Sequence, residues 1–235
     1  KTGTILHIPT LQWRDEPLKQ YFEDRFKRRV TVENDTNAAA LGEYRFGAGQ
    51  GYSSVVYITV STGIGCGIVL GGRIYDGAAD AAGELGHMKV IRGGRPCGCG
   101  GRGCLEQVAS ATGIAREARR KMAADDRPSV LRQFGDEVTA KDVLDGAKAG
   151  DALALEVAET ACHYLGVALA QAALIVDPDI FIIGGGVSKA GQFLVDMIKK
   201  HYEEHITISA DHPLIGLATL GNDAGIYGAA RMVLK

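Results

Sequence analysis

Gly94-Arg95-Pro96-Cys97-Gly98-Cys99-Gly100-Gly101-Arg102-Gly103-Cys104-Leu105-Glu106 carries three of the chain's five cysteines within eight positions, spaced C-x-C-x4-C among glycines. Ten residues before the first of them, the run Gly83-Glu84-Leu85-Gly86-His87 supplies a histidine. Three thiolates and one imidazole form a ligand set that closes a tetrahedral structural Zn²⁺ site. The glycines let so short a loop fold back on one ion, because they accept backbone angles other residues resist. A disulfide framework fits poorly: Cys97 and Cys99 are too close to bridge without strain, and the cysteine total is odd. Free thiols remain the other reading. Two carboxylates, Glu84 and Glu106, bracket the knot, so a metal here would fix two acidic groups in space. Cys66 and Cys162 lie far off in apolar or glycine-rich surroundings and read as packed thiols.

Outward from the knot, strands and helices alternate. Pro17 to Lys27 places Leu18, Tyr21, Phe22 and Phe26 on one helical face. Val30-Thr31-Val32 reads as a short strand, followed by an alanine-rich helix from Thr36 to Phe46 that Gly47 ends. Ser54–Ser61 and Gly67–Leu70 read as a hairpin with Thr62-Gly63-Ile64-Gly65 at its tip. Helices are expected over 111–124, 140–149, 153–176, 191–201 and 223–234, with strands over 179–183 and 215–220. This alternation predicts α/β layering.

Composition excludes several functions. A net charge of −2 announces neither nucleic acid nor membrane, and Arg25-Phe26-Lys27-Arg28-Arg29 reads as a solvated helix end. The most apolar stretch, Tyr164 to Val176, contains Gln171 and falls short of the ~18 residues of a membrane span. It is expected to be a core helix. With no secretory signal and few cysteines, the chain suits a reducing cytoplasm.

Three stretches offer chemistry. Glu33-Asn34-Asp35-Thr36-Asn37 sits where a strand is expected to end and a helix to begin, the place where open α/β folds bind ligands. Asp35 or Thr36 there either caps the helix, or Asp35 is a general base beside a hydroxyl-binding Asn34. A carboxylate can take the proton of an alcohol as its oxygen bonds to phosphorus. Ser61-Thr62-Gly63-Ile64-Gly65 offers amides and hydroxyls to a phosphate. Gly184-Gly185-Gly186-Val187-Ser188 is either a tight strand-to-helix turn or a bed for a nucleotide.

Together these stretches resemble the ROK (repressor, open reading frame, kinase) family. The resemblance rests on Glu84-x-Gly86-His87 followed by Cys97-x-Cys99-Gly100-x-x-Gly103-Cys104-x-Glu106. Glu33-Asn34-Asp35-x-Asn37-x-Ala39-Ala40, Gly184-Gly185-Gly186-Val187 and a W-x-x-x-P-L entry helix at Trp13 to Leu18 support it. The resemblance implies an actin-like ATPase (ribonuclease H-like) fold of two lobes. Residues 1–37 with the terminal helix 223–235 would belong to the small lobe, and 38–222, with the zinc knot 87–104, to the large one. Asn34, Asp35, Glu84, His87 and Glu106 would ring a hexose, with Asp35 as base. Thr62 and Gly63 would approach the phosphate, and Gly185 and Gly186 the adenosine. Zn²⁺ would sit on His87, Cys97, Cys99 and Cys104, and ATP would come with Mg²⁺. A homodimer is implied, with no nucleic-acid or membrane partner through this segment.

The resemblance is imperfect. The chain opens at Lys1 without an initiating methionine, lacks the family's Asp-x-Gly-Gly-Thr phosphate loop, and has Ser61 where kinases usually show glycine. The small lobe is therefore expected to be incomplete and the isolated chain nearly inactive. Two functions follow: an ATP-dependent kinase of glucose or a close relative, which Asp35 favours, or the sugar-sensing domain of a ROK repressor. A purely structural zinc module would leave Asn34, Asp35 and the glycine turns unexplained.

Overall fold

A computed structural model of the chain describes residues 2–8, 12–208 and 213–234. The described residues begin with a two-stranded antiparallel ribbon, β1 (Ile5–Ile8) with β2 (Trp13–Glu16), followed by helix α1 (Leu18–Phe26). Trp13 to Glu16 is thus a strand, and the expected entry helix starts only at Leu18, after Pro17 has fixed the chain's direction. Val30 to Val32, expected as a strand, is irregular: three β-branched residues are not enough where, among the described residues, no neighbouring strand offers pairing. On α1, Phe22 stacks on Phe26 at 5.9 Å, yet Tyr21 and Phe26 remain exposed.

The main sheet has five strands in the order β5-β4-β3-β6-β7. These are β3 (Ser54–Val60), β4 (Ile64–Leu70), β5 (Arg73–Ile74), β6 (Ile180–Gly184) and β7 (Leu214–Leu217). The first three pair antiparallel as a meander, while β6 joins β3 and β7 joins β6 in parallel. Parallel pairing demands a long crossover. The helices α3 (Glu106–Ala109), α4 (Ala111–Ala124), α5 (Ala140–Lys148) and α6 (Ala152–Val176) supply the first, and α7 (Gln192–His205) the second.

Alternation along β3 sorts the core into two layers. Val56, Ile58 and Val60 face one side with Phe181 and Ile183, against Leu165 and Leu169 of α6 and Ile198 of α7. Val55 and Tyr57 face the other with Ile180 and Ile182, against Ala40 of α2 (Asp35–Phe46). Covering both faces is what allows β6 to be apolar at every position. The terminal helix α8 (Ala224–Val233) lies along α2, astride the boundary expected at residue 37. Two glycines permit so close a crossing. A β-carbon at Gly228 would lie 1.7 Å from the Ala38 carbonyl oxygen, and one at Gly42 2.2 Å from that of Ala224.

Helix ends follow local chemistry. Ser110 caps α4, Thr139 and Asp142 form a reciprocal capping box on α5, and Asp151 caps α6. Asp177, in the left-handed conformation, ends α6 just before Pro178. Helix α6 starts one residue before the expected 153–176 and, by length and composition alone, is long and apolar enough to cross a membrane. Leu153, Val157, Ala161, Leu165 and Leu169 are nevertheless buried against its neighbours. Burial pushes the Cys66 and Cys162 thiols up to about 12, which keeps both as inert packing groups.

Candidate active site and metal knot

The parallel strands β3, β6 and β7 end on one side of the sheet, and their next residues meet the N-terminus of α2. Ser61 follows β3, Gly185 and Gly186 follow β6, and Ala218 and Thr219 follow β7. With Asp35 and Thr36 they line a cavity of about 550 Å³, closed by Asn222 and Gly225 at the start of α8. Gly185 adopts φ +82°, and a β-carbon there would stand 2.5 Å from the Val60 carbonyl oxygen. Glycine there lets the loop after β6 pack directly against the end of β3. Ser188 Oγ donates to the Gly185 carbonyl at 2.7 Å and holds the loop in place.

Asn34, not Asp35 or Thr36, caps α2. Its Oδ1 accepts from the amides of Thr36 at 2.8 Å and Asn37 at 3.2 Å. Glu33 Oε1 braces the turn, accepting from the Asn34 amide at 2.9 Å and from Asn37 Nδ2 at 3.0 Å. Asp35 is left exposed, its Oδ1 taking, among the described residues, only the Thr36 hydroxyl at 3.2 Å. A carboxylate in the first turn is favoured by the helix dipole. Beyond it lies a second cavity of about 230 Å³ lined by Asn34, Asn37, Asp80, Gly83 and Glu84, and a wider cleft of about 690 Å³ toward Lys19 and Asp76. Asp35 borders all three spaces.

The cysteine loop folds as its glycines predict. Cys97 N–H donates to the Gly101 carbonyl at 2.9 Å and Gly100 N–H to that of Cys97 at 3.0 Å, so the loop doubles back within a few residues. One ligand atom from each of His87, Cys97, Cys99 and Cys104 lies within 4.8 Å of the others. His87 Nδ1 is 3.7 Å from Cys97 Sγ, and Cys99 Sγ is 3.6 Å from Cys104 Sγ. A tetrahedral ion with Zn–S bonds of ~2.3 Å needs edges of about 3.8 Å, so this donor set fits one. The remaining His87 nitrogen, Nε2, faces Glu84 Oε2 at 3.8 Å. Lys89 Nζ stands 3.1 Å from Cys104 Sγ, a cation offsetting thiolate charge.

The knot is tied to the hairpin tip. Glu106 Oε2 accepts from the Ile64 amide at 3.1 Å, Ala111 N–H donates to the Ser61 carbonyl at 2.8 Å, and Thr112 Oγ1 to that of Thr62 at 2.9 Å. Thr62 and Gly63 therefore lean on α3 and α4, and only Ser61 of this turn lines the large cavity. Sequence reasoning overlooked the wall formed by Thr219 and Asn222. Gly221-Asn222-Asp223-Ala224-Gly225, a glycine pair spanning a strand end and a helix start, was the available signal.

It also overlooked Glu43, a fully buried carboxylate within an alanine-rich helix. Its oxygens accept from the amides of Ala48 at 2.9 Å, Thr219 at 3.0 Å and Leu220 at 2.8 Å, fixing the wall after β7. Each orphaned donor costs about 1 kcal/mol or more, so Glu43→Ala is expected to lose roughly 3 kcal/mol of stability. Urea unfolding of both proteins checks this; an unchanged midpoint would show that water replaces the carboxylate without loss.

Comparison with known proteins gives the family and the fold. The ROK family model matches residues 1–235. A glucokinase of Halalkalibacterium halodurans is 46% identical over 236 residues, covering 99% of this chain and 72% of that protein. A putative xylose repressor of Caldicellulosiruptor is 32% identical, covering all of this chain and 59% of its own length. Among solved structures, a ROK family glucokinase from Streptomyces griseus, in complex with glucose and AMPPNP, superposes with a TM-score of 0.87. It is 40% identical, and the match covers 99% of this chain and 77% of that one. The fold is the actin-like ATPase fold of these kinases. Matched from Lys1 to Lys235 by the family model, the chain belongs to the ROK family.

Proposed function

We propose that this chain carries the active site of an ATP-dependent hexose kinase acting on glucose or a close relative. The observation that carries the reading is the position of Asp35, which borders both the cavity at the glycine turns and the one beside the knot. The glucose and AMPPNP bound by the Streptomyces griseus relative are the ligands such a pair of cavities would take. Asn34, Glu84, His87 and Glu106 would hold the sugar hydroxyls. Gly185 and Gly186 would lie under the adenosine, with Ser61, Thr62 and Gly63 toward the phosphates.

Asp35 then accepts the proton of one sugar hydroxyl as that oxygen bonds to the γ-phosphorus. The bond from the γ-phosphorus to the β,γ-bridging oxygen breaks, and ADP leaves. Asp35 is the sole carboxylate among the described residues lining the cavity at the glycine turns, so a divalent ion there would come with the nucleotide itself. Mg²⁺ would supply charge neutralisation at the phosphates. His87, Cys97, Cys99 and Cys104 would hold a structural Zn²⁺, with His87 Nε2 turned toward the sugar. We assign the enzyme to the cytoplasm, where ATP and reduced thiols are both present, and propose a homodimer on family resemblance.

The test is coupled ADP release with glucose, mannose and N-acetylmannosamine on the protein as its cell makes it. Turnover near the ~10 s⁻¹ typical of enzymes is expected with one of them. The likeness to the Caldicellulosiruptor repressor supports a second reading, a sugar-sensing domain. Tight sugar binding with no ADP release above the sugar-free rate would favour it.

A further inference from the structure

Away from the cavities at the strand ends, α6 and α7 bring together side chains that the kinase reading leaves unused. His163 comes from α6, while His201 and Glu204 lie one turn apart on α7 and so share a face. One ligand atom from each of the three lies within 4.8 Å of the others. We propose that His163, His201 and Glu204 form a second metal site, for a divalent transition ion that prefers imidazole and carboxylate to thiolate.

Three features favour this assignment. His201 is buried, and its Nδ1 lies 2.9 Å from Glu204 Oε2. Ligands at ~2.1 Å from an octahedral ion stand about 3.0 Å apart along each edge, so the pair already has the right separation. Next, His201 Nε2 has no aligned hydrogen bond, although Glu159 Oε1 is 3.1 Å away. Glu159 is itself drawn to the Lys200 ammonium, whereas Glu204, whose Oε2 faces His201 Nδ1, is the carboxylate whose ligand atom lies with those of both imidazoles. Finally, a third imidazole stands by: the His205 ring lies 5.3 Å from that of His163, and its Nδ1 is 2.7 Å from the His201 carbonyl. A carbonyl only accepts, so His205 Nδ1 carries the proton and Nε2 keeps its lone pair. An orienting bond of this kind is the usual companion of a metal-binding histidine. Imidazole-rich sites suit zinc, nickel and copper, and this one contains no thiolate.

The site is separable from the cysteine knot by chemistry. Protein whose knot has been filled with one equivalent of Zn²⁺ is titrated with Ni²⁺ by calorimetry while the near-ultraviolet spectrum is followed. One further equivalent is expected to bind, without a thiolate-to-nickel charge-transfer band. Ni²⁺ should also raise the melting temperature, since it binds only the folded pair of helices. The double variant His163→Gln/Glu204→Gln should weaken the nickel event at least about tenfold, the lower end for disturbing a metal site, with zinc content unchanged. No second equivalent in the wild-type protein would overturn the proposal. So would a second equivalent that the variant retains, or one that appears with a thiolate band.

Discussion

Asp35→Asn is expected to lower the turnover of ATP-dependent glucose phosphorylation by on the order of 10² to 10⁴, the range of general-base contributions, while leaving glucose affinity within a few-fold. The structure makes this substitution a clean probe. Asn34 supplies the helix cap through its Oδ1, and Asp35, among the described residues, holds nothing but the Thr36 hydroxyl at 3.2 Å. Replacing an exposed first-turn carboxylate by its isosteric amide removes about 0.3 to 1 kcal/mol of dipole interaction, too little to unfold the protein. The amide keeps the shape and one acceptor but cannot take a proton at neutral pH. A loss confined to turnover is therefore the signature of a base. Steady-state kinetics with calorimetric glucose binding decides the matter. If the variant retains more than about a tenth of wild-type turnover, below the smallest general-base contribution, Asp35 only positions the sugar. If glucose affinity collapses with turnover, its role is ground-state binding.

How much of this was legible in the sequence depended on whether a signal was local. The convergence of His87, Cys97, Cys99 and Cys104 was legible, because C-x-C-x4-C with a histidine ten residues upstream is a local spacing, and the four ligand atoms lie within 4.8 Å of one another. So were β3 and β6, whose β-branched runs are long enough to be buried on both faces, and the bounds of α4, which Ser110 sets. Val30 to Val32 has the same residue types, but a strand is a pairing and nothing pairs with it among the described residues. The cap expected at Asp35 or Thr36 is taken by Asn34, a residue type that local propensity ranks as an equally good cap. The tie is broken by Glu33, which braces the Asn34 amide and Asn37 together. Glu43 escaped notice because its partners, Thr219 and Leu220, lie at the other end of the chain. Such a partnership has no period and no motif. At the hairpin tip, composition offers amides and hydroxyls to a phosphate, but that α4 binds the carbonyls of Ser61 and Thr62 is a fact of packing with no local signal.

That packing makes the second large effect a selective one. Replacing one knot ligand, Cys99→Ser, is expected to reduce bound Zn²⁺ from about one per chain to near zero, because a hydroxyl is a poor substitute for a thiolate at a closed site. Cys99 is the exposed cysteine of the three, whereas Cys97 and Cys104 are buried, so its replacement disturbs no core contact. The fold should survive, since the two layers around the sheet draw on the knot for little beyond Cys104 and Leu105. The consequence should travel along the covalent and hydrogen-bonded path. His87 loses the anchor on its Nδ1, and Glu84 beside it loses its fixed partner. Glu106, two residues past Cys104, carries the disorder to Ile64 and the hairpin tip. Glucose affinity and turnover should therefore fall together, by at least about the 10-fold to 100-fold that disturbing even the surroundings of a metal ligand causes. The adenosine side should be spared, because Gly185 is held by Ser188 and the wall at Thr219 by Glu43, neither of which touches the knot. Metal analysis, glucose calorimetry and binding of a non-hydrolysable ATP analogue on one preparation test all three parts. Zinc-free protein that still binds glucose at wild-type affinity would sever the knot from the sugar. Equal loss of nucleotide binding would mean that the ion supports the whole fold and does not act through Glu84, His87 and Glu106.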